Sequence, residues 1–447
     1  MQQNEKTTYT YAAIWKIAYP IFLTLLVQNL IQVIGTAFLG RVGEVELGAS
    51  ALAGIYYIVI FMLAFGFSTG SQILIGRRNG ENNHHKIGEI VLGGILFLFI
   101  MSLTLFLFTQ VYSEKILSQL LHSENVLHAA IKYLDIRIYG IFFASVNVMF
   151  RAFYVGTTRT KVLSVNAIIM AVTTIFFDYV LIFGRWGFPE MGIAGAAFSA
   201  VLSEIASVVF FIIYTFTQID LSKYGFYGFT IAKLKVVKNI LNISLSLMFQ
   251  YFLSLGCWFF FFLAIEHLGE QSLAISNIIR SLYMLISIPV FALAATTNTL
   301  VSNTIGAGKA NEVVPLVWKV AKLAIMICLV FMAISFAVPE LAISIYTSNP
   351  ELIQNSLHSF YVILLVLPLV ACSNVYFSAI SGTGNTRTAL LVEVIVLSIY
   401  IFYIWLSIMQ FKVPLAICWT CEYVYSIFIL LFSYLYIQRG KWKGKKI

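Results

Sequence analysis

Ionisable side chains that stand inside apolar runs are the residues of this 447-residue sequence best placed to do chemistry. Asp178 interrupts the apolar run from Ile175 to Phe183, with Thr174 one helical turn before it on the same face. Glu204 stands beside Ser199, Ser203 and Ser207, three hydroxyls at four-residue spacing. Gln28, Gln32 and Gly35 form an i, i+4, i+7 stripe. Together they read as one polar cleft lined by three helices. A carboxylate is costly in hydrocarbon and needs either a partner or a task. Asp178 and Glu204 are therefore candidates for carrying a proton or a cation, while the serines and glutamines also suit plain interhelical hydrogen bonding.

The second half of the chain carries Arg280 and Glu422, both inside apolar segments. Counting the helical rise puts each roughly 12–15 Å in from the outer face, so a buried ion pair between them is the expected arrangement. Asn277 and Ser281 flank Arg280 on its face, and with Gln28, Gln32, Thr174 and Glu422 they are candidate cleft residues. Glu393, one to two turns into its segment, reads as reaching the cytoplasmic interface. Asp135 and Arg137, near the outer start of another, read as snorkelling to water. Cys418-x-x-Cys421 has metal or redox spacing but no second pair and no nearby histidine, so packing is the simpler reading. The histidines lie in loops or near segment ends without an Asp-x-x-x-Asp cluster, which argues against a membrane acyl or prenyl transferase. No enzyme, metal or cofactor is expected.

The elements that hold these residues follow from composition. With 60% apolar and 11% charged residues, the chain departs far from the ~25% charge of soluble domains. It reads as an all-α polytopic membrane protein. A crossing needs ~20 apolar residues, and twelve stretches qualify: 14–37, 48–74, 88–111, 129–151, 162–183 and 192–216, then 239–264, 272–300, 314–338, 354–380, 388–410 and 414–437. Pro20, Pro289 and Pro368 fall inside crossings, where each tends to bend its helix. The polar stretch 218–238 joins an N-terminal lobe, 1–217, to a C-terminal lobe with a basic tail, 239–447. Formal charge is +9. The basic residues gather in loops on one side, including Arg77, Arg78, Arg159, Lys161, the linker lysines Lys223, Lys233, Lys235 and Lys238, Arg387, and a tail that includes Lys445 and Lys446. That asymmetry is a topology signal rather than a nucleic-acid site, and it puts both termini in the cytoplasm.

The two lobes repeat one another. Shifting the sequence by 226 positions (269 − 43) lays 43–80 on 269–306 without a gap. Nine pairs are then identical, among them Gly43/Gly269, Tyr57/Tyr283, Phe65/Phe291 and Gly80/Gly306. Shared apolar composition alone would give roughly three. Gly156, Thr160 and Lys161 fall on Gly382, Thr386 and Arg387 under the same shift. Six crossings per copy insert both copies the same way up, related by an axis along the membrane normal with a midplane cavity between them. Alternating access needs such a duplication; a channel or a receptor does not.

Pro20, Phe38-Leu39-Gly40-Arg41-Val42-Gly43 and the run from Asp178 to Ala197 resemble the multidrug and toxic compound extrusion (MATE) transporters, as do Gly306-Ala307-Gly308 and Gly382-Thr383-Gly384-Asn385-Thr386-Arg387. The resemblance spans nearly the whole chain. It implies two pseudo-symmetric six-helix bundles and export of drug-like, often cationic compounds in exchange for protons or sodium ions, by a monomer in the inner membrane. It also exposes departures. The first-helix aspartate of many bacterial members falls at Gly35, the asparagine one turn before the fifth-helix aspartate at Thr174, and the seventh-helix glutamate of other branches at Ser254, one turn after Gln250. Of the first-lobe trio only Asp178 remains; coupling is therefore expected at Asp178, with Glu204 as a second carboxylate in the same lobe, or alternatively at Glu422 with Arg280 as a charge that competes with the proton. A flippase for lipid-linked saccharides, built on a similar twelve-helix core, is the other transporter reading. It predicts a strongly basic cavity.

Overall fold

The computed structural model describes residues 9–121, 123–228 and 235–444. Lys233 of the linker and Lys445 and Lys446 of the tail lie outside the described residues. Among those residues there is no strand. The first half comprises α1 (Tyr11–Val42), α2 (Glu44–Gly80), α3 (His85–Leu120), α4 (Glu124–Arg137), α5 (Gly140–Gly156), α6 (Lys161–Phe177), α7 (Ile193–Gln218) and the short α8 (Leu221–Tyr224). The second half follows with α9 (Lys235–Glu266), α10 (Glu270–Gly306), α11 (Val313–Ala337), α12 (Pro339–Ser344), α13 (Pro350–Gly382), α14 (Thr386–Ile404), α15 (Leu415–Cys418) and α16 (Cys421–Arg439).

Eleven described helices are long and apolar enough to cross a bilayer, and the pair α4 and α5 makes a twelfth crossing in two pieces bent by 52°. The fourth crossing is therefore not the single helix expected over 129–151. The other crossings fall where the apolar runs place them. Large apolar side chains such as Val111, Phe216 and Leu391 remain exposed, which suits surfaces that meet lipid. Since lipid is as apolar as these side chains, close packing rather than the hydrophobic effect has to hold the helices together.

The repeat reappears as structure. Helices α2 and α10 are both 37 residues long and start 226 positions apart (270 − 44). Both copies also widen into a π-helical turn at corresponding places, Asp178–Ile182 at the end of α6 and Trp405–Gln410 at the end of α14.

Packing sorts the chain into two compact units, residues 23–248 and residues 249–447 together with the segment up to Phe22. The boundaries lie inside α1 and α9 and are 226 positions apart (249 − 23), the shift of the repeat. In the first unit Leu39, Ala53, Leu134, Ile182 and Ile193 form a core joining α1, α2, α4, the π turn and α7. The start of α9 belongs here: Ser244 Oγ donates to the Phe67 carbonyl at 3.0 Å, and a Cβ at Gly70 would collide with the Ser244 backbone. In the second unit Leu293, Ile363, Leu367 and Val370 of α10 and α13 lie at the centre, and Ile14, Ile17 and Ala18 from the start of α1 join them.

Candidate functional site

In the first unit the site is built on the π turn. One extra residue in that turn leaves carbonyls to be satisfied from outside the helix, and the following loop does so. Met191 N donates to Leu181 O at 2.9 Å and Arg185 N to Val180 O at 3.0 Å. Helix α7 comes down on the turn at Gly195, where any Cβ would collide with the Leu181 backbone. These contacts hold Asp178, only 3% exposed, against Ser199 of α7. The Ser199 hydroxyl has one proton and two acceptors, the Asp178 carboxyl and the Thr174 carbonyl at 2.9 Å. On its other side Asp178 faces the bare backbone of α1, since a Cβ at Gly35 would stand 3.8 Å from its Oδ2. No ion pair forms at Asp178 among the described residues. Gln28 and Gln32, on the Gly35 stripe of α1, are exposed, and Thr174 is buried.

Glu204 has a different environment. Arg137 grips it with two parallel bonds, Nη2 to Oε1 at 2.7 Å and Nη1 to Oε2 at 3.1 Å. Tyr57 OH reaches Oε1 at 3.4 Å, and its ring lies 3.7 Å under the guanidinium carbon. Arg137 therefore does not snorkel to water as expected from its position; it is drawn inward because a bidentate partner and an aromatic face are both within reach. Room for the pair comes from the bend between α4 and α5. A Cβ at Gly140, the first residue of α5, would overlap both Arg137 Nη1 and Glu204 Oε2. Tyr133 feels the charges of Asp178, Arg137 and Glu204, and of the two carboxylates only Glu204 has an ion-pair partner among the described residues.

The second unit departs from expectation. Glu422 does not pair with Arg280. Its Oε2 accepts from Tyr283 OH at 3.1 Å, and Tyr400 also faces it. Arg280 instead lies with its guanidinium carbon 5.1 Å from the Phe262 ring centre, and its buried Nε has no partner. Arg280 and Tyr283 are three apart on α10, and it is the tyrosine that reaches α16. Asn277 is exposed and donates to the Leu273 carbonyl at 3.1 Å in its own helix. Glu393 is likewise not an interfacial group. It is buried on α14, where Ser254 Oγ lies 2.5 Å from its Oε1 and Tyr425 OH 3.1 and 3.2 Å from its two oxygens. Cys418 and Cys421 are buried and bond separately, to Val413 O and to Tyr400 OH.

Tyr57 and Tyr283 are the residues that sequence reasoning left without a role. They are an identical pair of the repeat, and each donates to a buried glutamate on the last crossing of its half, Glu204 or Glu422. A hydroxyl retained at matched places in two apolar helices was the available signal.

Comparison with known proteins agrees with the duplicated design. The sequence model of the MatE family matches twice, over 20–180 and again over 246–406, the second match displaced by 226 residues (246 − 20). The chain belongs to the MATE family of efflux transporters. This MATE protein is 23% identical to a probable multidrug resistance protein NorM of Thermotoga maritima over 97% of its own length and 93% of the relative's. A probable multidrug resistance protein YoeA of Bacillus subtilis is 30% identical over 44% of this chain and 42% of its own. Among solved structures, a MOP superfamily transporter from Pyrococcus furiosus superposes with a TM-score of 0.87 at 17% identity, covering 96% of both chains. An outward-facing multidrug resistance MATE family transporter gives the same score and coverage. The chain is thus a multi-pass membrane protein with the MATE fold.

Proposed function

We propose that this MATE protein is a secondary antiporter that expels organic, often cationic compounds by alternating access, driven by inward protons, with Asp178 as the group that carries the ion in its first unit. The observation that supports this is the contrast within one unit: Glu204 is held by a bidentate guanidinium, whereas Asp178 meets a hydroxyl and the bare backbone at Gly35. A fixed pair keeps its charge through a cycle; a carboxyl without a counter-charge is free to gain and lose a proton. Such a carboxyl attracts a cationic compound when ionised and releases it when protonated, which is the exchange an antiporter requires. Glu204 then acts as a fixed charge of the same unit, neutralised by Arg137. The excess of Arg and Lys on one side supports cytoplasmic termini in an inner membrane.

The test uses the full protein in lipid vesicles loaded with ethidium, first under an imposed proton gradient and then under an imposed sodium gradient. Proton-driven export that falls to background in Asp178→Asn, with ethidium binding weakened and the variant inserted and folded like the wild type, is the expected result. Full export in that variant, or export driven by sodium alone, sinks the assignment.

A further inference from the structure

Glu393 is a buried acid that this mechanism leaves unused, and its surroundings are unlike those of an acid kept for structure. It is 1% exposed, and every group that bonds to it is neutral and hydroxylic: Ser254 from α9 and Tyr425 from α16. The other titratable groups near it are Cys257 on α9 and, beyond Tyr425, Glu422 and Tyr283. No Lys, Arg or His forms an ion pair with it among the described residues. An acid retained for stability alone would be expected to have the partner that Glu204 has, because a lone buried charge is among the costliest things a fold can hold.

Counting protons explains how the site tolerates it. Ser254 Oγ has one proton and two acceptors in range, Glu393 Oε1 at 2.5 Å and the Gln250 carbonyl at 3.0 Å. With Glu393 ionised, Ser254 and Tyr425 both donate to it, and the Gln250 carbonyl keeps its helical bond. With Glu393 protonated, its own O–H donates to Ser254 Oγ, whose proton turns to Gln250, while Tyr425 stays on the other carboxyl oxygen. Either form leaves no polar atom orphaned. The same device, a serine choosing between a carboxyl and a carbonyl, stands beside Asp178 in the other unit.

We propose that Glu393, held between Ser254 and Tyr425, is a second proton-exchanging group of the transport cycle, so that each unit carries one. The proposal rests on the proton-antiport reading above. Its test counts protons released into weakly buffered detergent solution when the purified protein binds ethidium. Glu393→Gln should release about one proton fewer per ethidium than wild type, and Glu393→Asp should restore it; a merely structural role would lower the amount of active protein without changing that ratio. Should Glu393→Gln fail to insert, Ser254→Ala and Tyr425→Phe keep the carboxyl and are read instead. Each should shift the pH dependence of release by about tenfold in proton concentration, the worth of one hydrogen bond to a charged group. An unaltered ratio in Glu393→Gln, or unaltered pH curves in both others, overturns this proposal alone. A wild-type protein that releases no proton on binding overturns it together with the antiport reading.

Discussion

Glu204 and Arg137 show how much a side chain's role depends on its neighbours. Breaking a buried pair strands the remaining charge, so Arg137→Ala should destabilise the protein by about 3–5 kcal/mol, whereas Arg137→Met with Glu204→Leu should recover most of the loss. Thermal unfolding in detergent measures both; equal losses in the single and double variants would show that a stranded charge is not the cause. At Gly35 a Cβ makes only ordinary contact with Asp178, so Gly35→Ala should fold and transport, while Gly35→Leu should fill the approach to Asp178 and slow export in the vesicle assay. Asp178 and Glu204 stood out in the sequence because carboxylates in apolar runs are conspicuous, and Glu422 and Arg280 did so for the same reason. Their partners were not legible. Depth along a helix follows from the rise per residue, but the choice between Tyr283 and Arg280 depends on rotation about the helix axis, set by packing that a linear count cannot supply. Glu393 was placed at an interface on the same kind of count, and its enclosure by Ser254 and Tyr425 depends on two helices distant in sequence.

At the scale of elements, the glycines that matter are those where another group occupies the space of a side chain. Gly195 lets α7 settle on the π turn that carries Asp178, and its backbone neighbour cannot move aside as a flexible side chain would. Gly195→Ala should therefore cost about 1–3 kcal/mol by overpacking and also impair export, through displacement of the turn. Gly140→Ala should instead act on the Arg137–Glu204 pair, and its loss of stability should largely vanish in the background where that pair is already replaced by Met and Leu. Twelve crossings were legible because apolar length is a strong signal. The break between α4 and α5 was not, since no proline marks it and the bend accommodates an ion pair formed with a helix 67 residues away. The π turns were equally hidden: an inserted residue changes hydrogen-bond register without changing hydropathy.

At the scale of the whole molecule, the duplicated sequence and the duplicated structure agree in shift but not in where they divide. The linker separates the copies along the chain, while packing divides inside α1 and α9. A helix end parted from the core it packs on leaves part of that core uncovered. Fragments 1–217 and 239–447 should each unfold at lower temperature alone than together, and co-expression should restore binding of ethidium. Two fragments as stable alone as together would show that the exchanged ends contribute little. The exchange also has a historical meaning. A polypeptide of one repeat would have had its opening helix reaching toward a core it did not own, and lending that helix to a twin is the reciprocal trade of a swapped dimer. Joining two such genes end to end would make the loan permanent.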